Sequence, residues 1–271
     1  MRFPGASDRI LGFCSHTRSL FDPMFRRIYN ALSYTRSLII TIPLIYLDTL
    51  VMGTLSFVAS LFDPTGRVQH ACARVWARLL LCSVLARVTV RGLENLESGK
   101  TYLFVANHQS YIDIPVVFAK LPGQCRIIAK NSLRTIPFLG WHLRRSGHIL
   151  IDRSSSKSGL KSLYAAAERV KAGISVIVFP EGTRSPDGAI HDFKGGSFLL
   201  ATRAGVPIVP ITLNGTRAVL VKNSWHLHPG RVDMIVHDPI DTSNYDARNV
   251  DELAQRVREI IVKDFVPMKE N

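Results

Sequence analysis

The chain has 271 residues, 46% of them hydrophobic, and a formal net charge of +13 at pH 7. This length and composition exclude an intrinsically disordered protein and suit one large domain or two small ones with a sizeable core. The basic charge predicts an anionic partner, and by itself leaves nucleic acid, an anionic membrane surface and a phosphorylated substrate open.

The first predicted element is a long apolar segment, residues 38–62 (LIITIPLIYLDTLVMGTLSFVASLF). As a helix it would extend about 37 Å, which is enough to cross a bilayer core of about 30 Å. Asp48 is costly in the middle of a span and Pro43 favours a kink, so a spanning helix and a hairpin that dips into the bilayer both remain open. Arginines flank the segment on both sides, which predicts that both ends lie on the cytoplasmic side.

The next stretch, RVQHACARVWARLLLCSVLA from Arg67, has the periodicity of an amphipathic helix. Basic side chains recur on one stripe: Arg67, His70, Arg74 and Arg78. Apolar side chains gather on another: Val68, Cys72, Val75, Trp76 and Leu79. Two interpretations fit equally well, a basic helix on anionic headgroups or an ordinary helix packed on a sheet with its arginines in solvent.

From residue 88 onward, short apolar runs alternate with helical patterns. The predicted strands are 88–90, 102–106, 126–129, 148–152, 175–179, 208–213 and 232–236, and the predicted helices are 110–120, 131–145 with Pro137 interrupting, 157–172, 194–204 and 250–264. Such alternation predicts an α/β fold with a mainly parallel central sheet flanked by helices. We therefore divide the chain into an N-terminal membrane-associated helical region, 1–86, and an α/β domain, 87–271.

A histidine and a carboxylate follow the predicted strand 102–106, in the heptapeptide NHQSYID (107–113). Ser110 and Asp113 have the spacing of a capping box, which would begin a helix at Ser110 without any chemistry. That pattern leaves His108 unexplained. A first-turn Asp113 can reach back to hold one imidazole nitrogen, which leaves the other as a base near neutral pH.

Two further segments end strands with groups that suit a phosphate. PEGTRS (180–185) places Gly182, Thr183 and Arg184 together, where glycine permits close backbone approach and arginine binds phosphate in a bidentate manner. A plain surface turn is the alternative there, and the segment is not a P-loop. GHILIDR (147–153) ends with Arg153, and VPIVP (206–210) opens another strand.

These segments, in this order and spacing, resemble the four blocks of the glycerolipid acyltransferase family, and most closely the bacterial 1-acyl-sn-glycerol-3-phosphate (lysophosphatidate) acyltransferases. With AKNSLRTIPFLGW (129–141) and FKGGSF (193–198), the resemblance covers residues 95–215. It implies transfer of a fatty acyl group from coenzyme A or acyl carrier protein to the sn-2 hydroxyl of lysophosphatidate, giving phosphatidate for phospholipid biosynthesis.

The resemblance also implies roles for single residues. His108 would take the proton of the acceptor hydroxyl, and Asp113 would orient His108. Arg153 and the loop Glu181, Gly182, Thr183 and Arg184 would hold the acceptor phosphate, with Glu181 fixing the arginines or binding a glycerol hydroxyl. Lys130 would be a further phosphate or carrier contact.

The implied partners are a lysophospholipid acceptor, an acyl thioester donor and an anionic membrane, with no resident cofactor and no nucleic acid. The implied location is the inner membrane, with the active site facing the cytoplasm. Alternatives are an acyltransferase for another acceptor, namely lyso-ornithine lipid, another lysophospholipid or glycerol 3-phosphate, and a non-catalytic lipid-binding protein. A metal hydrolase is disfavoured because His108 and Asp113 have no third ligand at metal spacing.

Overall fold

The core of the structure, a computed structural model that describes residues 23–136, 139–151 and 156–268, is a seven-stranded sheet. In chain order its strands are β1 (Ala86–Arg91), β2 (Leu103–Ala106), β3 (Cys125–Lys130), β4 (Ile149–Ile151), β5 (Ser175–Val178), β6 (Ile208–Asn214) and β7 (Gly230–Val236). The spatial order is β1-β7-β6-β2-β5-β3-β4. All neighbours are parallel except β6 and β7, which are antiparallel, so the predicted mainly parallel sheet is confirmed.

Nine α-helices lie within the described residues. They are α1 (Pro23–Arg36), α2 (Ile42–Phe62), α3 (Arg67–Ser83), α4 (Asp113–Lys120), α5 (Leu139–Arg145), α6 (Ser156–Lys171), α7 (Gly196–Ala204), α8 (Thr216–Val219) and α9 (Val250–Lys263). Short 3-10 turns occur at Leu93–Asn95 and Asn131–Thr135. The predicted helix 131–145 is thus divided into a 3-10 turn and α5, as the proline in its middle requires.

Two hydrophobic clusters cover the two faces of the sheet. Within β2, Phe104 and Ala106 belong to the cluster that includes α3 and α4, while Leu103 and Val105 belong to the cluster that includes α6, α7 and α9. Successive side chains of a strand point to opposite faces, so a strand buried on both faces must be apolar at every position. This is why the apolar runs of the sequence mark the strands well.

The apolar segment 38–62 forms one continuous helical path with α1 and does not turn back on itself. Residues Ser37–Thr41 form a π-helical turn, in which the Ile42 amide donates to the Ser37 carbonyl. Pro43 follows directly and has no amide hydrogen to donate, so the local widening occurs where the regular helical ladder cannot continue. The stretch Arg27–Phe62 is long and apolar enough to cross a membrane.

The polarity of this long helix is inverted relative to that of a soluble amphipathic helix. Five of its small polar side chains are buried: Ser33, Ser37, Thr41, Ser56 and Ser60. Large apolar side chains, including Leu47, Leu50 and Leu61, are more than half exposed, at 55%, 58% and 58%. An apolar surface of this extent indicates a partner other than water.

The helix contacts the α/β domain at both of its ends. Near its start, Ser37 Oγ lies 3.0 Å from the Leu227 carbonyl and 3.1 Å from the Leu227 amide. Near its end, Ser56 Oγ is 2.7 Å from His142 Nδ1 in α5. Burial lowers the pKa of His142 to about 4, so at neutral pH an uncharged ring shares this hydrogen bond with the Ser56 hydroxyl. The helix therefore lies along the domain.

The structure corrects the predicted faces of α3. His70 is buried, with its Nε2 3.2 Å from the Gly123 carbonyl, and so does not belong to a solvated basic stripe. The residues that pack on the sheet include Ala77 and Leu80, whereas Val68, Val75 and Leu79 are exposed, at 47%, 43% and 40%. Periodicity identified the helix, but both the side facing the sheet and the opposite side carry apolar residues.

Candidate active site

The polar motifs meet because of the strand order. β2, β5 and β3 are consecutive and parallel, so their carboxyl ends lie at the same edge of the sheet. His108 follows β2, the segment from Glu181 follows β5, and Lys130 is the last residue of β3. The edge where these strands end is the usual place for a site in an open α/β sheet.

His108 and Asp113 form a hydrogen-bonded pair. His108 Nδ1 is 2.7 Å from Asp113 Oδ2, and the carboxylate is fully buried while the imidazole is 15% exposed. The same oxygen accepts the backbone amides of Gln109 and Ser110, at 2.7 and 2.8 Å. Three converging donors suit a carboxylate anion. With Nδ1 engaged, Nε2 is the ring nitrogen that can take a proton from a substrate.

The helix after this pair starts later than the capping box predicts. α4 begins at Asp113, with Ile112 at its N-cap. Asp113 does bond back to the Ser110 amide, but the Ser110 hydroxyl donates to the Leu220 carbonyl at 2.7 Å and accepts the Ile112 amide at 3.2 Å. The capping-box pattern predicts that the Ser110 hydroxyl caps the helix. In the structure this hydroxyl instead forms a tertiary hydrogen bond with Leu220.

Glu181 connects the two polar loops. Its Oε1 accepts the His108 amide at 2.7 Å and its Oε2 accepts the His191 amide at 3.3 Å. In return, the Ser185 amide donates to the His108 carbonyl at 2.8 Å. Burial raises the pKa of Glu181, and the two amides act in the opposite direction. In the part of the chain that the structure describes, neither Glu181 oxygen contacts an arginine. Each oxygen instead accepts a backbone amide.

The loop itself begins as a tight turn. The Gly182 amide donates to the Phe179 carbonyl at 3.0 Å, and Gly182 has φ +77°, a conformation that favours glycine. Gly182 and Thr183 are exposed, and Arg184 is partly buried. Lys130 is also exposed, at the edge two strands from His108. Arg153 lies outside the described residues, so its role stays a prediction.

Comparison with known proteins identifies the family. The family model described as Acyltransferase matches residues 87–214. A 1-acyl-sn-glycerol-3-phosphate acyltransferase from Chlamydomonas reinhardtii is 34% identical over 250 residues, covering 90% of this chain and 71% of that protein. The chain belongs to the acyltransferase family.

Two further similarities support the assignment of this chain to the acyltransferase family. The chloroplastic enzyme LPAT1 from Arabidopsis thaliana is 38% identical over 69% of this chain, which spans about half (52%) of that longer relative. The crystal structure of the 1-acyl-sn-glycerophosphate acyltransferase PlsC from Thermotoga maritima superposes with a TM-score of 0.71 and 28% identity. It covers 84% of this chain and 95% of its own. The resemblance found in the motifs is confirmed.

Several contacts of the acyltransferase site were not foreseen from the sequence. The His108 ring stacks on Phe179, with centroids 4.2 Å apart and an interplanar angle of 24°. The Asn107 side chain exchanges two hydrogen bonds with the backbone of Leu213 in β6, at 2.9 and 2.8 Å. Asn107 lies directly before His108 in the first block, so its position in the motif could have drawn attention to it. No sequence pattern indicates its partner, which lies 106 residues away.

Proposed function

We propose that this acyltransferase transfers a fatty acyl group from a coenzyme A or acyl-carrier-protein thioester to the sn-2 hydroxyl of lysophosphatidate, giving phosphatidate. The observation that carries the proposal is the pair His108 Nδ1 and Asp113 Oδ2 at 2.7 Å, joined through Glu181 to the loop that bears Arg184. A base and a phosphate-binding loop are thereby held in one rigid unit. The proposed reaction needs both.

The first step is proton removal from the acceptor. His108 Nε2 takes the hydroxyl proton as the oxygen attacks the thioester carbonyl carbon, and a tetrahedral intermediate forms. The imidazolium that results faces the buried Asp113 carboxylate, which is already held by two backbone amides. The charge that develops in this step therefore meets a fixed anion, which is a form of electrostatic preorganisation.

The second step is loss of the thiol. As the intermediate collapses, the carbon–sulfur bond breaks, the ester carbonyl re-forms and the departing thiolate takes the proton from His108. The base is neutral again at the end of the cycle, and no acyl-enzyme is required. Because the thiolate is a good leaving group and the histidine moves the only proton, the proposed reaction needs no resident cofactor or metal.

Cationic side chains would bind the acceptor phosphate. Arg184 supplies a planar set of donors that matches a phosphate in bidentate geometry, and Lys130 at the end of β3 would add a second positive charge. We expect Arg153 to act with them. The geometry supports a different role for Glu181 from the one expected, namely joining the His108 and Arg184 loops through backbone amides.

The choice of acceptor is supported by the relatives. The proteins from Chlamydomonas reinhardtii and Arabidopsis thaliana carry the name 1-acyl-sn-glycerol-3-phosphate acyltransferase, and the Thermotoga maritima structure is that of an enzyme for 1-acyl-sn-glycerophosphate. Coenzyme A and acyl carrier protein are both acidic, so the net charge of +13 suits either donor.

An acceptor panel tests the proposal. Detergent-purified protein is given oleoyl coenzyme A, or the carrier-protein thioester, with lysophosphatidate, glycerol 3-phosphate or lyso-ornithine lipid in parallel. We expect phosphatidate from lysophosphatidate and little product from the other acceptors. Faster turnover of lyso-ornithine lipid or glycerol 3-phosphate would assign another acceptor, and no product from any acceptor would point to a lipid-binding protein.

We further propose that the protein sits on the inner membrane with its active site facing the cytoplasm. The exposed apolar surface of α2 and the Val68, Val75 and Leu79 side of α3 would be buried in one leaflet. Because the long helix contacts the domain at Ser37 and again at Ser56, a helix seated along the membrane surface is supported over one that crosses the bilayer.

We expect Leu50→Glu to lower the partition coefficient onto phosphatidylcholine–phosphatidylglycerol vesicles by about 10-fold or more, because a carboxylate in hydrocarbon costs about 3 kcal/mol. Vesicle sedimentation measures the effect. The matched control is Val262→Glu, which places the same charge at an exposed apolar position of α9, on the other face of the sheet. Equal binding by the two variants would contradict the proposed membrane surface.

A further inference from the structure

Arg184 carries a positive charge that has no carboxylate partner among the residues described by the structure. Its guanidinium carbon lies 3.3 Å from the centroid of the Tyr111 ring. Its Nη1 is buried and makes no hydrogen bond there. A buried donor of a charged group without a partner is costly, so its presence next to the catalytic loop indicates a site prepared for an anion.

The backbone around Arg184 is fixed from both sides. Lys222 Nζ donates to the Arg184 carbonyl at 2.8 Å, and the next amide, that of Ser185, donates to the His108 carbonyl at 2.8 Å. The remaining freedom is that of the long side chain. Tyr111 is the aromatic surface on which that side chain rests, and it stands three residues after His108 in the same heptapeptide.

A guanidinium stacked on a ring keeps its donors in the plane parallel to the ring. The outward N–H groups then remain available for a phosphate, while the flat face is shielded from water. In lysophosphatidate the phosphate and the reacting hydroxyl are on neighbouring carbons of one glycerol, so the distance between Arg184 and His108 must suit that short span. Tyr111 follows His108 by three residues and its ring contacts Arg184, so the ring can set this distance.

We propose that Tyr111 is a positioning residue, which holds the Arg184 guanidinium through its ring face. Arg184 then binds the acceptor phosphate at a place that brings the reacting hydroxyl within reach of His108 Nε2. The proposal rests on the proposed function, because it assumes a phosphate-bearing acceptor. It concerns the ring rather than the phenol hydroxyl. Tyr111 is 57% exposed, so its replacement leaves the hydrophobic core intact. A change in KM or kcat can therefore be attributed to the site.

The experiment compares Tyr111→Phe with Tyr111→Leu in the full-length protein, with KM and kcat measured separately for each substrate. We expect Tyr111→Leu to raise the KM for lysophosphatidate by about 2- to 30-fold through loss of the cation–π contact, the lower end applying to a contact exposed to solvent. The KM for the acyl thioester should be unchanged, and Tyr111→Phe should behave as the wild type does.

A double-mutant comparison separates positioning from a direct contact between Tyr111 and substrate. If Tyr111 acts through Arg184, then Tyr111→Leu should have no further effect on KM in an Arg184→Met background. An unchanged KM in Tyr111→Leu, an equal loss in Tyr111→Phe, or additive effects with Arg184→Met would overturn the positioning role while leaving the proposed function intact. A wild-type protein that does not acylate lysophosphatidate would overturn both.

Discussion

Replacement of His108 by alanine is expected to lower kcat for acyl transfer by about 10²- to 10⁴-fold, the usual contribution of a general base. The physical reason is that the buried Asp113 carboxylate stands behind His108 at 2.7 Å and engages Nδ1, which leaves Nε2 to take the hydroxyl proton. Steady-state assays with lysophosphatidate and an acyl thioester measure the loss. The KM for lysophosphatidate should change little, because the phosphate contacts lie elsewhere.

The matched control is His191→Ala. His191 lies in the neighbouring loop, and its side chain is exposed and bonded to Asp187 at 3.0 Å, whereas only its backbone amide contacts Glu181. Alanine keeps that amide, so we expect near wild-type activity. If His108→Ala retained the kcat of the control variant, His108 would not be the base and the proposed mechanism would be wrong.

Asp113→Asn is expected to lower kcat by at least about 10²-fold and up to about 10⁴-fold, as loss of the acid behind a catalytic histidine does. The substitution separates charge from geometry. An amide oxygen at the position of Oδ2 can still accept from His108, Gln109 and Ser110, and the amide nitrogen would occupy the Oδ1 position, which has no partner within the described residues. The loop keeps its shape while the imidazolium loses its anion.

Asp113→Ala is the comparison that removes the hydrogen-bond acceptor as well as the charge. It leaves the buried amides of Gln109 and Ser110 without an acceptor, at a cost of about 1–3 kcal/mol for each group, so it should also lower the midpoint of thermal unfolding. Asp113→Asn keeps the acceptor at the Oδ2 position and should unfold at a higher temperature than Asp113→Ala does. An asparagine variant with full kcat would show that the charge of Asp113 is dispensable and that its role is to hold the loop.

The fold was predictable because its central strands, β2, β5 and β6, are buried on both faces. A run such as YLFVA is apolar at every position, whichever elements pack against it. The predicted and observed strand positions therefore agree within a few residues. Helix faces were less predictable. In α3 the periodicity was correct, yet Val68, Val75 and Leu79 face outward while smaller residues such as Ala77 face the sheet. Periodicity cannot distinguish a core from a lipid-facing surface.

The contact between His108 and Asp113 was predictable for a local reason. His108 and Asp113 are five residues apart at the turn from a strand into a helix, and a turn of that length brings the two side chains together. The sequence predicted Glu181 as a residue of the candidate site, but its hydrogen-bond partners were not predictable. The amides it accepts belong to residues 73 and 10 positions away, and their direction depends on how two loops meet.

The sequence by itself determined the α/β class, the apolar N-terminal helix, the family and the residues of the four blocks, because each depends on residue type within a short window. Only the tertiary structure decided how those blocks contact one another: Arg184 on the ring of Tyr111, Lys222 on the loop carbonyl and Ser37 on Leu227. These contacts join residues far apart in the chain. Their geometry follows from strand order and packing, which no local pattern of residues specifies.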